Sequence, residues 1–581
     1  MPKTDLILLH APSVYDFRQE PILYGPISDM VPSTPVFELY PIGFTTIAEY
    51  LERYGFRVRI INLAVRMLKE PGFDARKILR SLEPLAFGID LHWLSHAHGA
   101  IEIARILKGY HPEIPVIFGG ISASYFHEEL ITRPEVDYVM RGDSTEEPLR
   151  QLLECLRKGR EPENVPNLTW RDARGQVHVN PLSYVPEDLN HLLFDYSYVV
   201  RAVARYRDLA SFVPFKGWLS YPITAVLPYR GCQNNCKICG GSASAYRRFM
   251  GRNRPACRAP ELLASDIRNI GRFSNGPVFI LNDLRQPGME YAERFLKEIE
   301  GLNRKVLLEF FDEVPRDFLK KISSALPNFV FEISPESHDE EVRRAFGRPY
   351  DNAALETTLE NALEAGCERL DVFFMIGLPG QDYRSVMETI DYCGYLMHRF
   401  DRGENKRLFP FIAPLAPFLD PGSTVFEDPA AHGYRLFCRT FEEHRKALVQ
   451  PSWKYILNYE TKWLSREEIV ASAYEAGMRL NKLKARYGLI PQSVAEETEK
   501  RIHLAIALSE KVDEIVAAGE GEDRRQMLLA LKSSLDRANI STVCEKSELE
   551  LPLGLFRLNL PGAAWFVLKE SLLRKRYASD I

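Results

Sequence analysis

The first 160 residues alternate between short apolar blocks and segments with helical spacing. The blocks are short enough for strands, and the segments between them repeat apolar positions three and four residues apart, as helices do. Strands are predicted at 5–9, 57–62, 85–89, 115–118 and 136–140, and helices at 42–54, 74–82, 97–109 and 144–158. This order of elements is typical of an α/β fold with a doubly wound, Rossmann-like domain, here residues 1–160.

The same alternation returns between residues 221 and 425. Strands are predicted at 223–228, 278–282, 306–311, 329–334, 370–376 and 408–413, and helices at 260–271, 290–300, 315–325, 351–365 and 382–399. Six strand–helix units in succession predict a second parallel sheet. The chemistry of such folds belongs at the carboxyl ends of the strands.

Two further regions lack this alternation. Residues 161–220 are predicted as a connector, in which 167–170 and 177–179 flank a turn-rich span and form a β-hairpin. The remainder of the connector is rich in aromatic residues and shows few helical periods. Residues 426–581 are predicted as a mostly helical C-terminal region, with helices at 434–448, 465–485, 492–517 and 523–537.

Composition changes this picture only by exclusion. The chain has 581 residues, 45% apolar and 26% charged, and its net charge of −5 gives no reason to expect nucleic acid as a partner. No secretory signal precedes the first strand, and no apolar run of about 20 residues predicts an integral membrane segment. Six of the nine cysteines are scattered, which argues against a secreted disulfide framework. These features predict a cytoplasmic protein.

Three cysteines in one short loop carry the clearest chemical signal. Cys232, Cys236 and Cys239 are spaced C-x-x-x-C-x-x-C, directly after the first strand of the second unit. Three thiolates hold three irons of a cubane cluster and leave one iron open, whereas common electron-transfer clusters take four cysteines. A zinc knuckle or buried free thiols are the alternatives. Zinc usually takes four ligands in two pairs, however, and no second pair follows.

This spacing is the signature of the radical S-adenosylmethionine (SAM) superfamily, which the chain resembles. The resemblance implies that the three cysteines bind a [4Fe-4S] cluster, that SAM binds the open iron, and that Gly241 lies beside the cofactor. It also implies that the six strand–helix units form a partial (β/α)6 barrel, and that a reductant such as ferredoxin or flavodoxin supplies electrons.

Two acidic positions at the predicted barrel rim match the family only in part. The usual Gly-Gly-Glu after the second strand is absent, and Asn282 or Asp283 is the replacement acceptor for the methionine ammonium. After the fourth strand, Glu336 resembles the glutamate of the family's Gly-x-Glu-Ser segment, which implies a place near the ribose or the ammonium. The alternative for Glu336 is a role with Asp339 in capping the next helix.

Three more rim positions follow from the same resemblance. Either Arg343 or Arg348 is expected to pair with the methionine carboxylate. Gly377, in a Gly-Leu-Pro-Gly turn after the fifth strand, is expected to let the adenine approach the backbone.

Small and polar residues follow the predicted strands of the first unit, where ligands of doubly wound folds bind. These residues are His10, Ser13, Asp90, His92, Gly119, Gly120, Ser122 and Gly142. Together with the pattern from Pro41 to Gly55, the Phe-Gly-Gly run resembles the cobalamin-binding domains that are fused to radical SAM domains. The resemblance implies that cobalamin contacts these residues and that the two glycines admit the corrin or its nucleotide tail. An unrelated flavodoxin-like domain is the alternative.

One segment resembles a known cobalt-binding pattern. Asp90-Leu-His92 is similar to the Asp-x-His-x-x-Gly motif that places an imidazole under cobalt, although Ser95 stands at the glycine position and the motif follows the third strand. Ligation by His92 and contact without ligation both stay open. His96 and His98 begin the next helix, where a solvated or capping role is expected.

The combined resemblance implies a cobalamin-dependent radical SAM C-methyltransferase. In that family a 5′-deoxyadenosyl radical takes hydrogen from an unactivated sp3 carbon and methylcobalamin donates the methyl group, so no catalytic side chain is expected. The specific prediction is a protein or peptide substrate, the glutamine α-carbon of methyl-coenzyme M reductase, as in the related methanogen enzymes. The alternatives are a radical enzyme that methylates or cyclises a lipid or small molecule, and a non-catalytic cobalamin sensor.

Overall fold

The computed structural model describes residues 4–26, 34, 36–194, 197–400, 403, 406–519, 521–540, 544–554 and 556–568. Within these ranges the chain forms two large, mainly parallel sheets, both covered by helices. One continuous apolar core includes Leu9 of the first sheet, Phe331 of the second and Trp453 of the C-terminal region. The regions therefore pack against one another instead of standing apart.

The first sheet has seven strands in the order β2-β1-β3-β4-β5-β6-β7. They are β1 (Leu6–His10), β2 (Val58–Asn62), β3 (Ala86–Asp90), β4 (Val116–Gly119), β5 (Tyr138–Met140), β6 (Leu168–Arg171) and β7 (Val177–Val179). The first five are parallel, which confirms the doubly wound domain. The chain leaves β1 for β2 on one side and returns to β3 on the other, so the topological switch point lies between β1 and β3.

Helices cover both faces of this sheet. They are α1 (Gly43–Arg53), α2 (Leu63–Lys69), α3 (Ala75–Arg80), α4 (Ala97–Tyr110), α5 (Ile121–Tyr125), α6 (His127–Ile131), α7 (Glu146–Arg157) and α8 (Ser197–Tyr206), with short 3-10 turns at Leu94–His96 and Ala210–Phe212. The predicted hairpin forms, and its strand β6 pairs antiparallel with β5, so the hairpin extends the sheet. The expectation of few helical periods in the connector was wrong, because residues 197–206 form α8. Tyr198 and Ala202 of this helix are buried in an apolar cluster with residues of the first sheet.

The second sheet contains six parallel strands in chain order, which confirms the partial (β/α)6 barrel. Its strands are β8 (Thr224–Val226), β11 (Val278–Ile280), β12 (Val306–Phe310), β13 (Phe329–Glu336), β14 (Arg369–Ile376) and β15 (Leu408–Pro414); β9 (Tyr229–Arg230) and β10 (Ala256–Cys257) form a separate ribbon. Its helices are α9 (Ala243–Phe249), α10 (Pro260–Ile270), α11 (Met289–Glu298), α12 (Arg316–Ala325), α13 (Glu340–Phe346), α14 (Asn352–Glu364) and α15 (Tyr383–Arg399).

The C-terminal region is mainly helical, as predicted. It contains α16 (Thr424–Glu427), a 3-10 turn (Ala430–His432), β16 (Tyr434–Leu436), α17 (Phe441–Ala447), α18 (Trp453–Ile456), β17 (Tyr459–Thr461), α19 (Arg466–Arg486), α20 (Gln492–Ala518), α21 (Glu522–Ala538) and α22 (Lys546–Leu549). The predicted helix 434–448 was wrong in its first half. Tyr434–Leu436 pairs antiparallel with β17, and the helix begins only after Thr440, whose side chain caps it in a capping box with Glu443.

The end of the described chain closes the barrel at the amino ends of its strands. Leu551 packs with Tyr221, Leu307 and Val330 in a small apolar cluster. A buried ion pair between Lys484 and Glu548, 2.8 Å long, ties this segment to α19. These contacts cover the amino ends of β12 and β13, opposite the rim at which the cysteine loop lies. None of the described helices is long and apolar enough to span a bilayer.

Candidate functional site

A buried ion pair lies at the switch point of the first sheet. The Nδ1 atom of His10, at the end of β1, is 3.0 and 3.1 Å from the two carboxylate oxygens of Asp90, at the end of β3. Its Nε2 atom is 2.8 Å from the carbonyl oxygen of Phe37. Burial alone lowers the pKa of His10, but the charge and hydrogen bonds of Asp90 outweigh it and raise that pKa. Both ring nitrogens face acceptors, an arrangement that favours the protonated imidazolium.

Asp90 therefore pairs with His10 across the switch point, whereas the sequence motif joined it to His92. Within the described residues the His92 ring has no hydrogen-bond partner, and it is partly exposed beside Trp93, which is 40% exposed. Burial lowers the pKa of His92. The negative charge of Asp90 raises this pKa and the positive charge of Arg230 lowers it, and the net shift is downward. A neutral imidazole is the form that binds a metal. Cobalt ligation by His92 stays a prediction.

Gly119 and Gly120 have different structural roles. A Cβ on Gly119 would have one neighbour, the carbonyl oxygen of Met140 at 3.8 Å, so open space lies over the end of β4. A Cβ on Gly120 would lie 2.6 Å from the backbone nitrogen of His92, and its φ is +118°. Gly120 is thus required by the close approach of the His92 backbone, while Gly119 leaves room for a bulky planar ligand.

We expect Gly120→Ala to be strongly destabilising and Gly119→Ala to be tolerated. The first change forces a Cβ into the backbone of His92 at a φ that L-residues rarely adopt, at a cost on the order of 1–3 kcal/mol or more. The second adds a methyl group in open space. Thermal unfolding of the cofactor-free protein measures both, and equal melting temperatures for the two variants would contradict this assignment of roles.

Three neighbouring strand-end residues hold the backbone in place. The hydroxyl of Ser122 donates to the carbonyl oxygen of His92 at 3.2 Å, and the backbone nitrogen of Ser13 donates to Val36 at 2.9 Å. Gly142, with φ +94°, donates its N–H to the hydroxyl of Ser124 at 3.0 Å. These contacts shape the rim of the first sheet; contact with cobalamin remains a prediction for all three residues.

The expectation that His96 is solvated or caps a helix was wrong. His96 is 1% exposed, and its side chain makes no capping hydrogen bond to α4. Its Nε2 donates to the carbonyl oxygen of Phe37 at 2.9 Å, the same oxygen that His10 contacts. The two imidazoles thus fix the loop at Phe37 over the switch point.

Ion pairs join the rim of the first sheet to the cysteine loop of the second. Arg230, two residues before Cys232, contacts Glu146 at 2.7 and 3.0 Å, and Thr46 donates to the same carboxylate at 2.9 Å. The Glu146 side chain is 1% exposed. Arg252 likewise binds the carboxylate of Asp143 with two nitrogens. The rim of the first sheet therefore meets the beginning of the cysteine loop.

The cysteine loop presents its sulfurs to hydrogen-bond donors. The backbone N–H of Asn234 donates to the Sγ of Cys232 at 3.3 Å, and that of Gly241 donates to the Sγ of Cys239 at 3.3 Å. Hydrogen bonds to cysteine sulfurs are one means by which proteins tune iron–sulfur clusters. Burial raises the pKa of Cys236 to about 11. Metal binding requires the deprotonated thiolate, so a bound cation would have to offset this shift at Cys236.

The loop fits a three-cysteine cluster in its donor set. In the described ranges no three His, Cys, Asp or Glu side chains are grouped closely enough to hold a metal ion, so the three cysteines share one loop without converging on a common point. Cys236 is 8% exposed and the other two are partly exposed. Cys257 stands outside the loop on β10.

Arg348 provides unused donors beside the cluster loop. The residue is 4% exposed, its Nη2 lies 3.7 Å from an oxygen of Glu336, and its Nε and Nη1 are buried without a hydrogen-bond partner. The guanidinium of Arg343, the alternative, donates hydrogen bonds to the carbonyl oxygen of Ser337 and to the side chain of Asn352. Two unpaired, buried guanidinium nitrogens suit a carboxylate ligand, because unpaired buried donors are costly. Of the two arginines, only Arg348 offers them.

Glu336 does not cap the following helix. The N-cap of α13 is Asp339, whose carboxylate accepts from the backbone of Glu341 at 2.9 Å. Glu336 instead ends β13 with φ +68°, next to a register shift in the pairing with β14. Burial raises the pKa of Glu336 to about 7, against the lowering effect of Arg348. Its carboxylate lies 3.7 Å from the Nη2 of Arg348 at the rim, and its oxygens are acceptors for a cationic or hydroxyl group.

Asp283, predicted as an ammonium acceptor, is already occupied. Both of its oxygens bind the guanidinium of Arg285, at 2.9 and 2.6 Å. Sequence reasoning missed Glu309, at the carboxyl end of β12, which accepts from the backbone N–H of Asn282 at 3.0 Å. The sequence does contain a signal for Glu309, which is the single charged residue in the apolar strand Val306–Phe310. Charged residues are rarely buried unless they are paired. Glu309 thus lies where the missing Gly-Gly-Glu would act.

Glu309→Gln is expected to stabilise the cofactor-free protein above pH 7. Burial raises the pKa of Glu309 from 4.5 to about 7. The folded state therefore binds more protons than the unfolded state between these values, and stability falls as pH rises through them. Glutamine keeps an acceptor for Asn282 without the charge. We expect a gain on the order of 2 kcal/mol at pH 8 that vanishes near pH 4.5, measured by thermal unfolding.

The exposed Glu313 supplies the control for this experiment. Glu313→Gln should leave the pH profile unchanged. A difference between Glu309→Gln and the wild type that is the same at every pH would contradict the titration.

The Gly-Leu-Pro-Gly turn is held by the C-terminal region. Gly377 has φ +99°, and a Cβ there would lie 2.4 Å from the hydroxyl of Tyr459. Tyr434 donates to the carbonyl oxygen of Gly377 at 2.7 Å, and the Gln381 side chain accepts from its N–H at 2.8 Å. A packing reason for glycine at 377 is therefore present in the protein itself, and adenine contact stays a prediction.

Two family models match the two sheet domains. The model for the B12 binding domain matches residues 30–152, and that for the radical SAM superfamily matches residues 226–393. Both models coincide with the units whose rims meet at Arg230 and Glu146.

Curated relatives match part of the chain. It is 28% identical to the hopanoid C-3 methylase of Methylococcus capsulatus over 283 residues, 48% of this chain and 49% of that protein. It is 26% identical to the cytidylyl-2-hydroxyethylphosphonate methyltransferase of Streptomyces wedmorensis over 157 residues, 24% of this chain and 29% of that protein. The matched part thus spans about half or less of the length of these relatives.

Solved structures share the architecture. The radical SAM methyltransferase TsrM from Kitasatospora setae, with tryptophan and a SAM analogue bound, has a TM-score of 0.55 at 14% identity, covering 81% of this chain and 89% of that one. The cobalamin-dependent enzyme OxsB, with aqua-cobalamin and SAM bound, has a TM-score of 0.56 at 12% identity, covering 99% and 80%. Such identities establish the fold. The chain therefore matches a B12 binding domain followed by a radical SAM domain, and it is similar in sequence to the hopanoid C-3 methylase and in fold to cobalamin-dependent radical SAM enzymes.

Proposed function

We propose that this chain is a cobalamin-dependent radical SAM methyltransferase that methylates a carbon of a lipid or another non-protein molecule. The observation that carries the proposal is the buried Glu146–Arg230 ion pair, 2.7 Å long, because it docks the rim of the B12-binding domain on the cysteine loop. Two cofactors held at facing rims can act on one substrate, and positioning is what a protein contributes to such chemistry.

The residues divide the work of holding these cofactors. Cys232, Cys236 and Cys239 supply thiolates to the cluster. The unpaired donors of Arg348 suit the methionine carboxylate, and Glu336 and Glu309 offer acceptors for its ammonium. When bound, the cofactors supply hydrogen abstraction and a methyl group, so that one SAM ends as 5′-deoxyadenosine and methionine and another as S-adenosylhomocysteine.

In the B12-binding domain, the open space over Gly119 suits a planar ligand, and the backbone of His92 lies against the neighbouring Gly120. The His10–Asp90 pair keeps this edge rigid, since both partners are buried and hydrogen-bonded to each other. The proposed reaction requires no proton transfer by a protein side chain.

The substrate class rests on the relatives. The proteins named above act, by their names, on a hopanoid or on cytidylyl-2-hydroxyethylphosphonate, and TsrM holds tryptophan. These molecules are not proteins, so they support a small-molecule or lipid substrate over the protein glutamine that the sequence first indicated. A ferredoxin or flavodoxin remains the proposed reductant.

Product analysis under anaerobic conditions tests the function. The chain is reconstituted with iron, sulfide and cobalamin, reduced chemically, and given SAM with candidate hopanoid and nucleotide substrates. The proposal expects 5′-deoxyadenosine and S-adenosylhomocysteine in equal amounts together with a methylated product. Deoxyadenosine without S-adenosylhomocysteine would indicate ring formation or rearrangement, and neither product would indicate a cobalamin sensor; both results overturn the proposal.

A further inference from the structure

The last described helix is anchored to the radical SAM domain by one face. It covers residues 560–568, and the side chain of Asn559 caps it by accepting from the N–H of Gly562 at 3.0 Å. Phe566 packs edge-on against Phe273, with ring centroids 5.6 Å apart. The N–H of Asn559 also donates to the carbonyl oxygen of Phe273 at 2.9 Å. The inner face of the helix is therefore apolar and already has its partner.

The opposite face is apolar as well and faces solvent. Leu560 is 67% exposed, Trp565 66% and Leu568 52%, and Pro561 and Ala564 are also exposed. The spacing of i, i+4 and i+8 for residues 560, 564 and 568, with 561 and 565 alongside, places all five on one stripe. Phe556, just before the helix, is 83% exposed. A helix that is apolar on all sides is normally buried, so this exposed outer face is a candidate binding surface.

The sequence around this helix is cationic in an otherwise acidic chain. Residues 556–581 contain five basic and two acidic residues, whereas the whole chain carries a net charge of −5. The basic positions are Arg557, Lys569, Arg574, Lys575 and Arg576. Tryptophan and leucine on one helix face, with lysine and arginine close by, are the composition of helices that lie in the plane of a membrane surface. Basic clusters of this kind are attracted to anionic lipids.

We propose that the outer face of residues 560–568 binds the surface of an anionic lipid bilayer. The charge decides between the possible occupants. Two copies of this chain joined along this face would each carry the positive net charge of residues 556–581, and the repulsion would oppose pairing. A bilayer of anionic phospholipid receives the apolar stripe and neutralises the cations at once. This surface binding is independent of the methyl transfer proposed above.

Co-sedimentation of the full chain with lipid vesicles tests the proposal. We expect binding to vesicles of phosphatidylcholine with about 30% phosphatidylglycerol, weaker binding to pure phosphatidylcholine, and loss of binding at high salt. Leu560→Ser with Trp565→Ser should weaken binding at least about tenfold, since both changes remove apolar surface that the bilayer would bury. The triple change Arg574→Ser, Lys575→Ser, Arg576→Ser should weaken only the binding to anionic vesicles.

Two other exposed apolar residues supply the matched control. Met527 on α21 is 47% exposed and Ile540 is 54% exposed, and Met527→Ser with Ile540→Ser should bind vesicles as the wild type does. Circular dichroism confirms that all variants are folded. The proposal is overturned if the wild type does not bind anionic vesicles, if the stripe variant binds equally well, or if the stripe variant instead abolishes a concentration-dependent dimer seen without lipid.

Discussion

Replacing Cys232, Cys236 or Cys239 singly by alanine should abolish radical chemistry in this protein. Anaerobically reconstituted wild type should hold about four irons per chain, as a cubane cluster requires. Each variant loses one of the three thiolates of the loop, and Cys257, the next cysteine along the chain, lies outside the loop on β10. We expect iron to fall several-fold and reductive formation of 5′-deoxyadenosine to fall by more than about 100-fold, or roughly 3 kcal/mol in barrier height.

Cys257→Ala is the matched control. Cys257 lies on β10, and its thiol contacts the carbonyl oxygen of Pro255 and not the loop. Iron content and deoxyadenosine formation should remain at the wild-type level. A variant of the triplet that keeps a full cluster, or a control variant that loses it, would contradict the assignment of the ligands.

Breaking the Glu146–Arg230 pair should loosen the contact between the two domains. Arg230→Met leaves the carboxylate of Glu146 buried and unpaired, since that side chain is 1% exposed. Removing one partner of a buried pair typically costs about 3–5 kcal/mol, whereas replacing both by apolar residues is often neutral. We therefore expect Arg230→Met to lower stability by that amount and the double change with Glu146→Leu to recover much of it, measured by denaturant unfolding.

The same variants should separate the two product signals. Because the cluster loop keeps its cysteines, deoxyadenosine should persist in Arg230→Met while S-adenosylhomocysteine falls by more than about tenfold, as misalignment of two cofactors is costly. Arg435→Met supplies the control, because Arg435 pairs with Glu460 at the surface and is 72% exposed. Exposed pairs contribute little to stability. Equal effects of Arg230→Met and Arg435→Met would contradict the role of the interface.

Local pattern was sufficient for most of the secondary structure. The strands of both parallel sheets were predicted because buried parallel strands are nearly continuous apolar blocks, and α19, α20 and α21 were predicted from helical spacing. The failure at Tyr434–Leu436 has a tertiary cause. That segment is a strand only because β17, more than twenty residues later, pairs with it.

The candidate site divides in the same way. The cysteine triplet and the strand-end positions of His10, Asp90 and His92 were visible as sequence motifs. The sequence did not show which of these residues contact each other. In the structure the Asp90 carboxylate contacts His10, whereas the motif had linked Asp90 with His92. Asp283 and Arg343 looked available in the sequence but are occupied by neighbouring side chains.

The sequence alone determined the order of the elements, the spacing of the three cysteines and the glycines at strand ends, because these depend on residues that are close along the chain. Only the tertiary structure decided that Arg348 has unpaired donors, that Glu309 lies beside Asn282, and that the two rims meet. Each of these facts depends on the distance between groups that are far apart in sequence. Burial and hydrogen bonding, which set the charge and availability of a side chain, arise only when such groups are brought together.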